Sequence, residues 1–171
     1  GGLAYSAMMT SSGLFLIFNV ISGRLFLGDA GSYGLGAAVA LSGLYLYSND
    51  LFSAAFLAAL LMYPCVELLV SMGRRLLLGR SMFLPDNDHL HNRIYFHLQR
   101  YLGSKTLANS ITGLAVVLST SGLAMVGYFA NWWPVTDDRW IFVFAVQSVI
   151  YFLVFTISGA NRVVTQYVVQ D

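Results

Sequence analysis

Two short polar stretches, separated by apolar sequence, hold the residues best suited to chemistry. The first runs from Arg24 to Gly36 and places one acid, Asp29, among glycines. The second runs from Pro85 to Arg93 and is dense in acids and histidines. We interpret the two stretches as halves of one site that handles phosphate and a metal ion.

Asp29 offers a hard oxygen ligand in a glycine-rich turn. Such a ligand suits Mg²⁺, with Mn²⁺ as the alternative, because Mg²⁺ takes one or two protein carboxylates and completes its octahedron with water and substrate phosphates. Around it, Gly28, Gly31 and Ser32 leave backbone N–H groups free to face phosphate oxygens, helped by the positive end of the helix that follows. The alternative is that Asp29 caps this helix without a ligand.

In the second stretch, His89 and His91 are two positions apart. On a regular helix they would not share a face, whereas in a loop or at the start of a helix both could reach one ligand. A helix is expected to begin near Asp86 or Asn87, either of which could cap it. Together with the guanidinium of Arg93, the imidazoles could hold a sugar diphosphate. The alternative is a solvated loop beside the membrane.

Glu67 stands alone in a long apolar run, one turn after Pro64. An ionisable residue at membrane depth indicates a functional site, although a pair with Arg74 near the membrane edge would also account for it. Arg80 and its basic neighbours either anchor the chain beside anionic headgroups or draw a lipid phosphate toward the site. A zinc site is not supported, because the histidine spacing is not His-Glu-x-x-His and Cys65 lies in apolar sequence.

The elements that must position these residues are membrane helices. The chain has 171 residues, of which 57% are hydrophobic and 10% are charged, whereas soluble domains carry roughly 25% charged residues. The mean hydropathy of +0.68 agrees with a membrane protein. A net charge of +1 gives no basic face for a nucleic-acid partner.

Five apolar segments approach the roughly 20 residues that a membrane-spanning helix needs. The third contains Pro64 and is expected to kink there. We therefore predict an all-α, polytopic integral membrane protein in which residues 1–171 form a single membrane domain and residues 72–106 form a loop that carries site residues. The predicted segments are Leu3–Ile21, Tyr33–Tyr47, Leu51–Ser71, Leu107–Ala130 and Trp140–Ser158.

Five crossings place both polar stretches on one side of the membrane, together with every basic residue except Arg139. Because short cytoplasmic loops collect Lys and Arg, this side is expected to be cytoplasmic. The tryptophans near residues 132–140 then lie at the opposite interface, where indole rings favour the headgroup layer.

These motifs resemble a known family, the polyprenyl-phosphate N-acetylhexosamine-1-phosphate transferases. That superfamily includes the undecaprenyl-phosphate N-acetylglucosamine-1-phosphate transferases and the phospho-N-acetylmuramoyl-pentapeptide transferases. Asn92 follows His91 where many members have another histidine, which weighs against the muramoyl-pentapeptide branch. The residues that carry the resemblance are Phe18-Asn19, Phe26 to Ser32, Tyr63-Pro64, Glu67, Arg74-Arg75, Gly79-Arg80 and Pro85-Asp86-x-x-His89-Leu90-His91.

The resemblance implies a multi-pass enzyme of the bacterial plasma membrane that transfers a sugar-1-phosphate from a UDP-sugar to a polyprenyl phosphate at the cytoplasmic face and releases UMP. Such a reaction serves cell-wall or surface polysaccharide synthesis. It implies that Asp29 binds the metal and that His89 and His91 contact the nucleotide-sugar. The substrate-binding candidates are Asn19, Gly28, Gly31, Ser32, Glu67, Arg80, Asp86 and Arg93.

Family members carry further acidic residues upstream of the matched motifs. We therefore expect the chain to be the C-terminal portion of a longer transferase, to lack part of the active site when alone, and to be a candidate for homodimer formation. Two alternatives remain: a transport or lipid-handling membrane protein, and a non-catalytic remnant. A transporter predicts polar residues along a path near the bilayer midplane, whereas the ionisable residues here gather at one face.

Overall fold

The computed structural model describes residues 2–22, 27–79, 81 and 88–168, with side chains described within 6–22, 27–79, 81 and 88–159. All regular structure in these ranges is helical, which confirms the predicted all-α class. A five-residue π-helical segment, Leu118–Gly122, joins two of the α-helices. The helices are α1 (Gly2–Ser22), α2 (Gly28–Ser48), α3 (Ala54–Leu60), α4 (Met62–Leu77), α5 (Leu90–Leu102), α6 (Lys105–Val117), α7 (Leu123–Phe129) and α8 (Trp140–Val168).

Among the described residues, two helical stretches are long and apolar enough to cross a membrane: Lys105–Phe129, which joins α6, the π segment and α7, and Trp140–Gly159 within α8. A third span results if α3 and α4 count as one bent pair. The predicted number of five is therefore not reached. The described apolar part of α1, Ser6–Ser22, is short, and glycines, serines and Asp29 dilute the apolar character of α2.

The predicted third span is broken at Leu61, three residues before Pro64, with an angle of 78° between α3 and α4. Proline has no N–H, and its ring clashes with the carbonyl of the residue four positions earlier, here Leu60. Helix α3 therefore ends at Leu60. The carbonyl left without its helical partner accepts a hydrogen bond from Ser121 Oγ of the π segment at 2.8 Å.

Helix α2 begins at Gly28, earlier than the predicted Tyr33, so Asp29 lies in its first turn and not in an open turn. Among the glycines of α2, only Gly28 has a backbone conformation that favours glycine, with a φ of +68°. A Cβ atom at Gly31 would lie 2.7 Å from Leu27 Cγ, so glycine lets that side chain fold over the start of the helix.

The core consists of two clusters along the bundle. Ala55 and Phe56 of α3 pack with Trp140 and Val143 of α8 in the first cluster. The second contains Met62, Val66, Leu90 and Tyr151, and so joins α4, α5 and α8. The second cluster underlies the candidate site.

Hydrogen bonds mark the two ends of the bundle. At one end, the backbone N–H of Ser53 donates to Val135 O at 2.9 Å, which places the turn after α2 beside residues 131–139. At the other, Ser110 Oγ donates to Val20 O at 2.6 Å, and Arg93 Nη1 donates to Phe155 O at 2.9 Å. These contacts bring described loops together at each end, and the assignment of the loops to opposite sides of a membrane stays a prediction.

Candidate functional site

Glu67 is buried in α4 and joins three helices. Its Oε1 lies 3.0 Å from His89 Nδ1, and its Oε2 accepts a hydrogen bond from the Tyr151 hydroxyl of α8 at 2.9 Å. The backbone N–H of Leu90 donates to both oxygens, at 3.4 and 3.2 Å. Because a buried carboxylate is costly unless hydrogen-bonded, these contacts explain how Glu67 is tolerated at this depth. It does not form the alternative pair with Arg74.

His89 is the residue immediately before α5, with an extended backbone (φ −82°, ψ 152°) and no side-chain cap of its own. The first N–H groups of a helix lack intrahelical partners. Here Glu67 supplies the acceptor from another helix, and its negative charge is favourable at the helix N-terminus. The predicted caps, Asp86 and Asn87, lie outside the described residues. The start of α5 is therefore fixed by α4.

His91 is held by Tyr63, one helical turn before Glu67 on α4. The backbone N–H of His91 donates to the Tyr63 hydroxyl oxygen at 3.3 Å, and His91 Nδ1 lies 2.9 Å from the same oxygen. A hydroxyl that accepts from an N–H can donate its own proton. The Tyr63 O–H can donate to Nδ1, and in that tautomer the neutral imidazole carries its N–H on Nε2.

The two imidazole rings stack, with centroids 5.4 Å apart and planes at 7°. This geometry agrees with the expectation that histidines two positions apart can meet where a helix begins. Partial burial and the neighbouring His89 lower the pKa of His91, and Glu67 opposes this only in part. A neutral His91 can donate one hydrogen bond without adding a full positive charge.

The guanidinium of Arg93 is engaged by other residues of the chain. Its Nε donates to Asp88 Oδ1 at 2.8 Å, its Nη2 pairs with Asp88 Oδ2, and its guanidinium lies 3.8 Å from the centroid of the Phe155 ring. Arg74 Nη1 also approaches Asp88 at 3.5 Å. Asp88 is thus paired and is not a free loop charge. The substrate-binding role of Arg93 stays a prediction, since the observed contacts fix α5 against α8.

Asp29 is exposed in the first turn of α2, and Leu27, not Asp29, occupies the N-cap position. The Ser32 hydroxyl donates to the backbone oxygen of Asp29 at 3.1 Å. Within the described ranges, the Asp29 carboxylate forms no hydrogen bond or ion pair. That the two stretches form one site stays a prediction.

The described residues contain no group of three or more His, Cys, Asp or Glu side chains that could hold a metal ion. This excludes a protein-only cage among them. It agrees with the chemistry of Mg²⁺, which is usually bound through one or two carboxylates, water and substrate phosphates. The exposed and unpaired carboxylate of Asp29 fits that mode.

For three other residues that were predicted to bind substrate, the described part of the structure provides no contact with the candidate site. Asn19 is half-buried near the end of α1, and no contact between it and the histidines is observed. Arg80 and Asp86 lie outside the described residues. Their substrate-binding roles stay predictions.

Tyr63 and Tyr151 are site residues that the sequence reasoning did not assign. Tyr63 carried a signal, because it lies four positions before Glu67 and therefore on the same face of α4. Tyr151 is 84 positions from Glu67, and no local pattern in the sequence connects the two.

The chain is similar to curated proteins with related names. It is 28% identical over 116 residues to the undecaprenyl-phosphate alpha-N-acetylglucosaminyl 1-phosphate transferase of Thermotoga maritima, an alignment that covers 67% of this chain and 37% of the relative. It is 34% identical over 95 residues to a probable undecaprenyl-phosphate N-acetylglucosaminyl 1-phosphate transferase of Bacillus subtilis, covering 54% and 26% of the two chains. The decaprenyl-phosphate N-acetylglucosaminephosphotransferase of Mycobacterium leprae is 34% identical over 93 residues, covering 47% and 23%.

These relatives confirm the resemblance identified from the motifs. The alignments span between 23% and 37% of the relatives' own length. No family model and no solved structure matches the chain.

Proposed function

We propose that the chain is part of a membrane transferase that moves N-acetylhexosamine-1-phosphate from a UDP-sugar to a polyprenyl phosphate. The observation that carries the proposal is the stacked pair His89 and His91, which Glu67 and Tyr63 hold at the start of α5. The names of the relatives support the reaction type.

In the proposed reaction, an oxygen of the polyprenyl phosphate attacks the phosphorus that carries the sugar. The bond between this phosphorus and the bridging oxygen of UMP breaks, UMP leaves, and a polyprenyl diphosphate sugar forms. Negative charge accumulates on the leaving UMP, so positioned donors contribute most where they meet those oxygens.

His91 would act as such a donor when its Nε2 carries the proton, and His89 would do so as an imidazolium, because the Glu67 carboxylate accepts the proton on His89 Nδ1. His89 Nδ1 is engaged by Glu67, which orients the ring and directs Nε2 away from the carboxylate. His91 offers an Nε2–H in the tautomer whose Nδ1 accepts from the Tyr63 hydroxyl, and the same contact restrains the ring. Because contacts with Glu67 and Tyr63 already fix the two imidazole rings, their side chains lose little conformational entropy when a diphosphate binds.

Asp29 would hold Mg²⁺, or Mn²⁺, together with the phosphates of both substrates. When bound there, the ion would screen the two anions from each other and act as a Lewis acid toward the transferred phosphoryl group. The start of α2 supports this role, because its first N–H groups lack intrahelical partners and favour anions.

The site is proposed to face the cytoplasm, where UDP-sugars are available. Arg74, Arg75 and Arg100 support this orientation, because they belong to the helices at the site end of the bundle and basic residues concentrate on the cytoplasmic side. Synthesis of a cell-wall or surface polysaccharide is the proposed use of the product.

Replacing Asp29 by Asn in the complete enzyme tests the metal assignment. We expect Mg²⁺-dependent UMP release to fall by at least about a hundredfold, because removal of a group that stabilises transition-state charge has effects of this size. Asp50→Asn is the matched control, since Asp50 is an exposed turn residue with a φ of 56° that Asn also tolerates. Full activity of the Asp29→Asn variant would refute the assignment.

Ala substitutions at His89 and His91 test the imidazole pair. Each should reduce kcat/KM for the UDP-sugar, whereas His97→Ala should not, because the exposed His97 ring contacts only Tyr101 among the described aromatic rings. The two alternatives, a transport or lipid-handling function and a non-catalytic remnant, both predict no UMP release in any of these proteins.

A further inference from the structure

Two arginines from different helices converge on one carboxylate beside the candidate site. Arg93 of α5 forms a fork with Asp88, in which Nε donates to Oδ1 at 2.8 Å and Nη2 pairs with Oδ2. Arg74 of α4 approaches the same Oδ2 through its Nη1 at 3.5 Å. Because Asp88 directly precedes His89 in the sequence, this cluster borders the imidazole pair.

Both guanidinium groups also lie near one aromatic ring. Arg93 Cζ is 3.8 Å and Arg74 Cζ is 5.7 Å from the centroid of the Phe155 ring. Two like charges held near one ring repel each other, so an anion that contacts both is favourable. Guanidinium groups match the oxygens of a carboxylate or of a phosphate. In the structure, Asp88 supplies this anion.

Arg93 is fixed more firmly than the carboxylate that it binds. Its Nη1 donates to Phe155 O of α8 at 2.9 Å. A Cβ atom at Gly159 would lie 2.6 Å from that Nη1, so the glycine leaves room for the guanidinium. The Arg93 side chain is 10% exposed, whereas that of Asp88 is 32% exposed. Asp88 is therefore the partner that can turn toward water, and its departure uncovers the N–H groups of Arg93 that now face it.

Arg74 lies seven positions after Glu67, which is about two helical turns, and hence on the same face of α4. At 1.5 Å per residue, the two residues are about 10 Å apart along the helix axis. A phosphate on the arginines would therefore lie within the length of one substrate molecule from the histidines that α4 positions.

We propose that Arg74 and Arg93 form a phosphate-binding site and that Asp88 occupies it until a phosphate group of a substrate takes its place. The exchange keeps the charge-assisted hydrogen bonds of the arginines, because a phosphate offers at least as many acceptor oxygens as a carboxylate. Asp88 thus weakens phosphate binding by competition. That the phosphate belongs to the nucleotide-sugar or to the polyprenyl phosphate rests on the proposed function.

Asp88→Asn in the complete enzyme tests the competition. The amide removes the charge and keeps the size of the side chain, and its oxygen can still accept from Arg93. Inorganic phosphate, UMP and farnesyl phosphate are titrated without Mg²⁺ against the detergent-solubilised protein, and the shift in unfolding temperature gives Kd. We expect the Kd for inorganic phosphate to fall about tenfold, the effect of about one hydrogen bond to a charged group. The organic phosphate whose Kd falls by the same factor identifies the substrate that uses the site.

Asp137→Asn is the matched control, because Asp137 forms a similar fork with Arg139 at the opposite end of the bundle. Its Kd values should equal those of the wild type. Arg74→Gln leaves the fork between Arg93 and Asp88 intact and decides the matter if Asp88→Asn does not fold. It should raise the Kd for inorganic phosphate about tenfold, because the site loses one of its two cations.

An unchanged or higher Kd for inorganic phosphate in Asp88→Asn would overturn the proposal, even in an enzyme that releases UMP. So would an unchanged Kd in Arg74→Gln. A lower Kd for inorganic phosphate with unchanged values for both organic phosphates would overturn the assignment of the site to a substrate. UMP release by the wild type is measured separately and tests the proposed function by itself.

Discussion

At the scale of single residues, the Glu67 carboxylate is saturated by donors from two other helices. The Leu90 N–H, the Tyr151 O–H and His89 Nδ1 all point to its two oxygens. Each of these groups would be left without a partner if the carboxylate were changed. Glu67 is therefore a positioning residue: it orients His89 and fixes the start of α5.

Glu67→Gln tests this role. The amide NH₂ would face a group that itself donates, so we expect a loss of roughly 1 to 3 kcal/mol in the free energy of unfolding and a lower kcat/KM for the UDP-sugar. Tyr151→Phe removes only one donor and should have a smaller effect on both quantities. Thermal unfolding measures the loss of stability in the two variants, and UMP release measures the loss of activity. A Glu67→Gln protein equal to wild type in both would contradict the role.

His91 gives the protein a predictable dependence on pH. Its pKa in the folded protein is below the ordinary value of 6.5, so in the window just below pH 6.5 the unfolded chain binds more protons than the folded one. Stability should therefore rise with pH up to about 6.5 and then level off with respect to this group. The stability that this group contributes should be lost as the pH falls below about 6.5.

The measurement is the unfolding temperature of the wild type and of His91→Gln between pH 5 and 8. The difference between the two proteins isolates the contribution of His91. We expect the wild type to lose stability more steeply on acidification. Parallel profiles would show that His91 titrates alike in both states.

At the scale of elements, two interruptions of regular α-helix lie next to each other and satisfy each other's hydrogen bonds. One is the break between α3 and α4, and the other is the π segment. Pro64 frees the Leu60 carbonyl, and the π segment brings Ser121 Oγ to it. The same segment directs the Thr120 carbonyl to Gln147 Nε2. Side chains of neighbouring helices thus satisfy backbone groups at membrane depth, where an unsatisfied group costs several kcal/mol.

Ser121→Ala should lower the free energy of unfolding by roughly 1 to 2 kcal/mol, because the Leu60 carbonyl loses its donor. Ser119→Ala is the matched control and should have little effect, since the exposed Ser119 hydroxyl bonds only to carbonyls of its own helix.

In a Pro64→Ala background, residue 64 regains an N–H that can reach the Leu60 carbonyl. The effect of Ser121→Ala should then shrink, and a double-mutant cycle measures the coupling. An unchanged effect in that background would show that Ser121 stabilises the bundle by another route.

At the scale of the whole molecule, the bundle has a tryptophan-rich end opposite the candidate site. Trp140 is fully buried, packs edge-on against Phe56 with centroids 4.8 Å apart, and donates from Nε1 to Pro134 O at 2.9 Å. Gly127 of α7 leaves the space for this arrangement. A Cβ there would lie 2.5 Å from Trp132 Cε3 and 3.0 Å from two ring carbons of Trp140.

Gly127→Ala should therefore destabilise the protein by roughly 1 to 3 kcal/mol, the usual cost of overpacking. Gly113→Ala is the control, because a Cβ there has nothing within 4 Å and alanine favours a helix by about 1 kcal/mol over glycine. Thermal unfolding followed by tryptophan fluorescence distinguishes them. Equal unfolding temperatures for the two variants would show that the indole rings move aside without cost.

Much of the site was predictable from local sequence. Glu67 in an apolar run, and His89 and His91 where a helix begins, are recognisable without coordinates, because the apolar character and the helix signals are set by neighbouring residues. For the same reason, the sequence predicts the helical class and the span that starts at Trp140. It also predicts a break near Pro64, although not its position at Leu61.

Only the tertiary structure decided which groups meet across the bundle. The Tyr151 contact to Glu67 joins positions 84 apart, and the Gln147 contact to Thr120 joins positions 27 apart. Such pairs depend on how helices rotate and cross, which is set by the packing of all their side chains together and has no signature in any short stretch.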